Sequence, residues 1–502
     1  MYHHYKPFRN FVRQLDRTVA LRQIYYLSQN IQYGKPLPVQ FAQLSPKGIA
    51  SIKDVVYQWE LDVLAREVIL NAGTGGGKDL FNVKDFRTAI GHIRRLQDRQ
   101  IEGRLQTMIY QELHRLFQLQ FPWQSKAVEL RLSRFLRMFK CPDVENVLMA
   151  ALGLTVKEIY IIGGAIAGSF LTKDIYDLNA DFSGFGIESD RRDKFFGYIS
   201  AGVNEVRVSA ESLQEYNENW SYTLNPLRRT PLVSISAQAP NIVICPIPEF
   251  ILLRISEGLH YDLVNVGDFN NAYGKSFERY VGEISSELVS HLGITAKAGQ
   301  EYWVGKKVKK HGVDWYMYDA SAVMLIECKT KGLKLDARYK LEENDLHAEI
   351  ELLAKFVVQN YKNLIDIQAG YTPWDPEGRK LYPVVVTLSN WYLHGQAVTQ
   401  HLEDTVLTLL DNSQIDRKVV NVNPYTIMSI EEYEVAIQVI GKVGVDKFFD
   451  EISKSDYKGW MVSPFMESCF PDEVSGVSYD YLRSEITSIQ KEMESKLNGT
   501  RQ

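Results

Sequence analysis

The chain has 502 residues, 45% of them hydrophobic and 24% charged, with a formal net charge of -5. These proportions match soluble globular protein and exclude a chain that is mostly disordered or fibrous. The charge is unevenly placed: residues 1–140 carry 22 Lys+Arg against 11 Asp+Glu, which leaves 35 against 51 for the rest. A basic region on an acidic body suits contact with a polyanion, or a solvated helical surface.

No two of the four cysteines, Cys141, Cys245, Cys328 and Cys469, lie within eighty positions of each other. That spacing offers no C-x-x-C and no zinc ribbon, and it fits a reducing compartment. The first residues, Met1 to Arg9, have no apolar stretch of the kind a signal peptide needs. The Gly-rich run Ile159 to Leu171 is free of charge, but thirteen residues are too few to cross a bilayer. The expectation is a cytoplasmic protein with no membrane partner.

In chain order, residues 10–140 read as helical. Phe11, Leu15, Val19, Leu21 and Ile24 form a loose 3.6-residue stripe, and Leu61, Leu64, Val68 and Leu70 continue the pattern. A further amphipathic segment, about 86–119, carries Arg94 and Arg95. Another, about 125–139, places Arg131, Arg134 and Arg137 along one helix flank. These five arginines are candidate nucleic-acid contacts, and a solvated face is the alternative. Between these segments lies Gly73-Thr74-Gly75-Gly76-Gly77-Lys78. A phosphate-binding P-loop would need Gly where Ala72 stands and Ser or Thr where Asp79 stands, so the stretch reads as a loop.

Residues 150–265 change character. Short runs at 158–162, 205–209, 232–235 and 242–246 are rich in β-branched residues and read as strands in a mixed α/β region. From 266 onward helix and strand alternate. A helix is expected over 271–293, a strand at 300–304, and two strands, 313–318 and 322–330, joined by Asp319-Ala320-Ser321. A long helix follows at about 346–363, then a buried strand at 382–388. A helix at 396–410, a strand at 425–429 and a helix at 431–440 come next, and a polar helix at 481–497 ends the chain.

The chemistry concentrates in Gly312-Val313-Asp314 and in Leu325-Ile326-Glu327-Cys328-Lys329. In an antiparallel hairpin turning at 319–321, Asp314 falls opposite, or one place from, Glu327. Period two puts Glu327 and Lys329 on one face. Two neighbouring carboxylates repel unless a cation lies between them, and Mg²⁺ or Mn²⁺ takes such oxygen ligands, with the Cys328 carbonyl as a further oxygen. A lysine alongside can orient water and stabilise charge on a phosphoryl group. Asp319 competes for the role of first acid, but its turn lies at the far end of the hairpin from Glu327.

An Asp followed at this distance by Glu-x-Lys on a central strand resembles the PD-(D/E)XK, or restriction-endonuclease-like, nuclease superfamily. The resemblance covers about 266–450 only, and Val313 stands where the family's proline would be. It implies a metal site of Asp314, Glu327 and the Cys328 main-chain carbonyl, completed by Glu278 from the preceding helix, with Lys329 as the third catalytic residue. Gln359 and Tyr361 on the following helix are accessory candidates by the same resemblance. The aromatic pairs Tyr25-Tyr26 and Trp391-Tyr392 can stack on bases or fill the core.

The expected architecture is multidomain α and α/β. It comprises a basic helical domain (1–148), a mixed α/β domain (149–265), a restriction-endonuclease-like α/β/α sandwich with a central mixed sheet (266–450) and a helical extension (451–502). The expected function is an Mg²⁺- or Mn²⁺-dependent endonuclease that hydrolyses nucleic acid, DNA favoured over RNA. By analogy of architecture it would be a prokaryotic restriction or antiviral defence effector, alone, as a homo-oligomer or with a defence-complex partner. The alternative is a non-cleaving nucleic-acid-binding or sensor subunit that keeps the nuclease fold.

Overall fold

The computed structural model describes residues 1–43, 51–102, 109–123, 127–306, 308–332, 343–392 and 396–499. The chain forms two compact units: 1–112 with 119–269 and 485–502, and 113–118 with 270–484. Apart from 113–118, the segments expected as separate domains at 1–148 and 149–265 fall together in the first unit. The extension expected at 451–502 is divided between the two.

The first unit is mostly helical. Helices Tyr2–Val12, Arg17–Tyr33, Gln58–Asn71 and Val83–Ile101 enclose a core of Tyr5, Phe8, Leu21, Ile24, Leu64 and Ile90. Within it, Arg66 and Glu67 form a buried ion pair at 3.0 Å, and Tyr5 and Trp220 donate to the two Glu67 oxygens at 2.7 and 3.0 Å. A four-stranded sheet runs in the order Tyr176–Asp177, Ile242–Ile244, Leu232–Ser234, Ser200–Gly202.

Two of the four strands expected in this region are helices instead. Residues 158–162 lie in Val156–Ser169, and 205–209 lie in Val203–Leu213. Capping overrides β-branched content here. Thr155 and Glu158 exchange bonds at the first helix start, and Glu205 reaches back to the Gly202 N–H at the second. Among the described residues no single helix is long and apolar enough to span a membrane. The pair Pro142–Leu152 and Val156–Ser169 reaches that length only across a 66° bend.

The second unit is built on a five-stranded mixed sheet. Its strand order is Thr295–Ala298, Trp315–Tyr318, Ala322–Lys329, Lys380–Thr387, Thr426–Ser429. The first three run antiparallel to one another in turn, and the last two are parallel to the central strand. The central strand Ala322–Lys329 is buried along its whole length until Lys329, as its unbroken apolar run predicts.

Helices Glu343–Gln368 and Gln396–Asn412 cover the face that carries Val323, Leu325, Leu381 and Val385. Helices Phe269–Val289 and Ile430–Val443 pack together elsewhere in the unit, through Tyr280 to Glu434 at 2.6 Å and Ser285 to Tyr433 at 2.7 Å. Asn360 is fully buried and donates to the carbonyls of Leu325 and Val384 at 2.7 and 3.2 Å, which ties the helix to two adjacent strands. Asp319 accepts from the N–H groups of Ser321, Ala322 and Val445, so it closes the hairpin and caps the helix Val445–Ile452.

The helix Phe269–Val289 meets the sheet through a glycine. A Cβ on Gly282 would lie 2.0 Å from the Trp315 ring, and the Trp315 indole N–H donates to the Glu278 carbonyl at 2.8 Å. Gly282→Ala is expected to destabilise the unit by about 1–3 kcal/mol through overpacking. Gly274→Ala on the same helix, where a Cβ meets open space, is expected to be neutral or to stabilise by up to about 1 kcal/mol. Urea unfolding of both variants checks the pair; equal effects would contradict the close helix–sheet approach.

Candidate functional site

The site forms where the central strand leaves the core. The ladder pairs Trp315 with Ile326, and Asp314 continues it through its N–H to the Ile326 carbonyl at 3.0 Å. This sets Asp314 beside Glu327, as the hairpin register predicts. The Asp314 carboxylate accepts the Cys328 main-chain N–H at 2.6 Å. What the structure brings to Asp314 is thus the N–H of Cys328.

Glu327 is 2% exposed. Its Oε1 accepts from Lys329 Nζ at 2.6 Å and from Gln359 Nε2 at 2.9 Å. Its Oε2 is buried and has no hydrogen-bond partner. Gln359 reaches the acid because Glu343–Gln368 crosses the face that carries Glu327 and Lys329. Tyr361, two residues on, points elsewhere. It is fully buried and donates to the Asn423 carbonyl at 2.8 Å, so it belongs to the core and not to the site. The Lys329 ammonium also lies 5.2 Å from the Phe356 ring.

The electrostatics bind these groups into one set. Burial pushes the Glu278 carboxyl up to about 7, the Asp314 charge adds to the shift, and Lys329 and Lys275 oppose it. Burial and then Asp314 also raise Glu327, against the pull of Lys329. Asp314 is raised by burial, with its Cys328 N–H bond opposing. Burial alone would lower the Lys329 ammonium, and Glu327 beside it outweighs that and raises it. Three acids therefore crowd Lys329 at the end of a buried strand, with Lys275 acting on Glu278 as well.

Among the described residues, no group of three or more His, Cys, Asp or Glu side chains is arranged to hold a metal ion. A hard divalent cation such as Mg²⁺ needs only one or two carboxylates when waters or substrate phosphates fill its other positions. The buried, unpartnered Glu327 Oε2 beside Asp314 fits that requirement.

Of the arginines expected to track phosphates, the three on one helix do not form an exposed row. Helix Val128–Phe139 is buried nearly all round: Arg134 is 2% and Arg137 8% exposed. Arg131 and Arg137 face Glu257 and Glu485 at 4.0 Å each. A buried, countercharged row cannot follow a phosphate backbone. Arg94 is held by Glu60 at 2.6 Å and by the Val55 carbonyl, and Arg95 lies on the surface beside His92. The glycine loop before Lys78 is likewise structural. Gly75 N–H donates to Asp16, and Lys78 pairs with Asp85 at 2.9 Å. Asn360 escaped sequence reading, although an amide set among the apolar positions of its helix, as Asn363 also is, was the available signal.

No family model, no curated protein and no solved structure matches the chain.

Raised carboxyl pKa values carry a sign for stability. The unfolded acids titrate near 4.3 and the folded Glu278 near 7, so their contribution is complete below the unfolded value and is lost as pH rises through the folded one. Without divalent ions, unfolding free energy is expected to fall by on the order of 1–2 kcal/mol between about pH 5 and pH 8. Glu327→Gln is expected to flatten that slope. Denaturant titrations across the range check this; an unchanged slope in the variant would contradict the crowding of the acids.

Proposed function

We propose that the second unit is a metal-dependent phosphodiesterase of the PD-(D/E)XK type that hydrolyses nucleic acid. The observation that carries this is the convergence of Asp314, Glu327 and Lys329 at the end of the central strand, with one buried Glu327 oxygen unpartnered. The order of helix, antiparallel strands, long helix and parallel strand supports it. So does Gln359, which reaches Glu327 from the helix where the resemblance looks for an accessory group.

In this reading Asp314 and Glu327 hold the divalent ion, with the Cys328 carbonyl and Glu278 as further oxygens. When bound, Mg²⁺ or Mn²⁺ supplies Lewis-acid polarisation of the phosphodiester and neutralises its charge. Lys329 gives one of its three donors to Glu327 and keeps others to orient water and meet charge growing on the phosphoryl oxygens. Gln359 fixes the Glu327 carboxylate plane, so that Oε2 rather than Oε1 is left for a ligand. Glu278 is placed by its own helix, whose carbonyl at that residue accepts from Trp315.

A second reading has one observation in its favour. Lys329, Gln359 and the Cys328 N–H already occupy one oxygen of each central acid, which a folded but non-cleaving binding module would also show.

Cleavage of labelled DNA and RNA, single- and double-stranded, with Mg²⁺, Mn²⁺ or EDTA separates the two. The wild-type chain is expected to cut only with the divalent ion. Lys329→Ala and Glu327→Gln are each expected to cut at least about a hundredfold more slowly while still binding the same strand. Equal cutting by the variants places the chemistry elsewhere, and binding without cutting by the wild type selects the second reading.

A further inference from the structure

A cavity of about 460 Å³ lies in the second unit, with walls that include Leu353, Thr387, Leu402 and Ser429. Its place follows from the sheet register. Thr387 pairs with Lys329 on one side and with Ser429 on the other. Neighbouring strands are about 4.8 Å apart, so the cavity wall begins one strand from Lys329. Period two sets Thr387 on the same face as Lys329 and Glu327. On the covering helix, Leu353 precedes Gln359 by six positions, about 9 Å of rise. The cavity and the acid cluster thus share one face and one end of the sheet.

Five aromatic residues stand among polar and aliphatic ones in the lining. Trp391, Tyr392, Tyr425, Tyr457 and Trp460 all contribute to it. Trp391 is 4% exposed, yet its indole N–H has no hydrogen-bond partner. A buried donor in a residue that lines the cavity is one that a ligand's acceptor could satisfy. Trp460 is 48% exposed and stands edge-on to Tyr457 at 5.5 Å, which leaves a ring surface available at the rim. Asn390 and Asn421 add amide groups, and an exposed Lys458 faces Glu403 at 2.7 Å.

The remaining acid in the wall, Glu432, is engaged by Ser429, Val462 and Ser463 and does not offer itself to a ligand. A free anion has no use for five aromatic walls, and an aliphatic ligand would leave the Trp391 N–H unmet. A planar ring with acceptors on its edge meets both demands.

We propose that this cavity receives one unstacked nucleobase of the substrate strand, next to the phosphodiester that is cut. The inference rests on the nuclease reading above. The base stacks on the aromatic wall and presents a ring nitrogen or carbonyl oxygen to the Trp391 N–H. Selection of the cleavage position would then come from one base held out of the stack.

Binding is measured by fluorescence anisotropy with the full chain carrying Lys329→Ala, so that strands are held and not cut. The probes are labelled DNA and RNA strands, single and duplex, in which one abasic site is moved a nucleotide at a time. One abasic position is expected to weaken binding about tenfold, and its neighbours much less. Trp460→Ala, at an exposed site, should weaken the intact strand by a similar factor and add nothing to the abasic loss. Trp391→Phe keeps the packing but not the N–H, and should weaken binding and shift the preferred base at that position. A uniform abasic profile, or parent-like binding by both tryptophan variants, overturns the pocket. If the wild type still cuts with Mg²⁺ in that case, the nuclease reading stands alone; if it neither binds nor cuts any strand, both fall.

Discussion

Like charges held together out of water set the terms for the second unit. Asp314, Glu327 and Glu278 gather around one ammonium, Lys329, at the end of a strand buried on both faces. Burial favours their neutral forms, and each ionised acid makes the next harder to ionise. Lys329 opposes the shift of all three acids and Lys275 that of Glu278, and burial still raises each of them. The surrounding fold keeps the acids from drifting apart. Asn360 locks the covering helix to the two central strands, and Gly282 lets Trp315 reach the Glu278 backbone. Such rigidity keeps the acids at close quarters, the condition on which the proposed ion site rests.

The central hairpin and the parallel strands of the C-terminal sheet were legible because their signals are local and reinforce each other, whereas the edge strand Thr295–Ala298 was missed and the strand expected at 300–304 pairs with Val308–Lys310 in a separate sheet. The apolar run 322–326 marks a strand buried on both faces, and the short turn at 319–321 fixes the register that sets Asp314 beside Glu327. Gln359 and Tyr361 show the limit. Two residues apart on a helix, they differ by about 200° in direction, and only the packing decided that Gln359 meets Glu327 while Tyr361 meets the Asn423 carbonyl. The cavity was not legible, because its walls come from five separate stretches of chain and only the Trp391-Tyr392 pair stood out.

In the first unit the sequence misled in two ways. β-branched runs at 158–162 and 205–209 look like strands, yet the acidic residue three places into each helix caps its start. The excess of arginine suits a polyanion surface, yet several guanidiniums are already engaged by carboxylates of the same chain. Arg66 pairs with Glu67, Arg94 with Glu60, Arg22 with Asp174 and Arg228 with Asp62, the latter two across long sequence separations. A count of charges cannot distinguish a buried guanidinium that holds two segments together from an exposed one that waits for a ligand.

The central claim is that Asp314 and Glu327 together bind a divalent ion. It is tested most directly by anomalous diffraction from crystals of the full chain soaked in Mn²⁺. The account predicts a single strong peak at about 2.0–2.2 Å from an Asp314 oxygen and from Glu327 Oε2, lost in Glu327→Gln. No peak there, with the Lys329–Glu327 pair intact in saturating Mn²⁺, would contradict it.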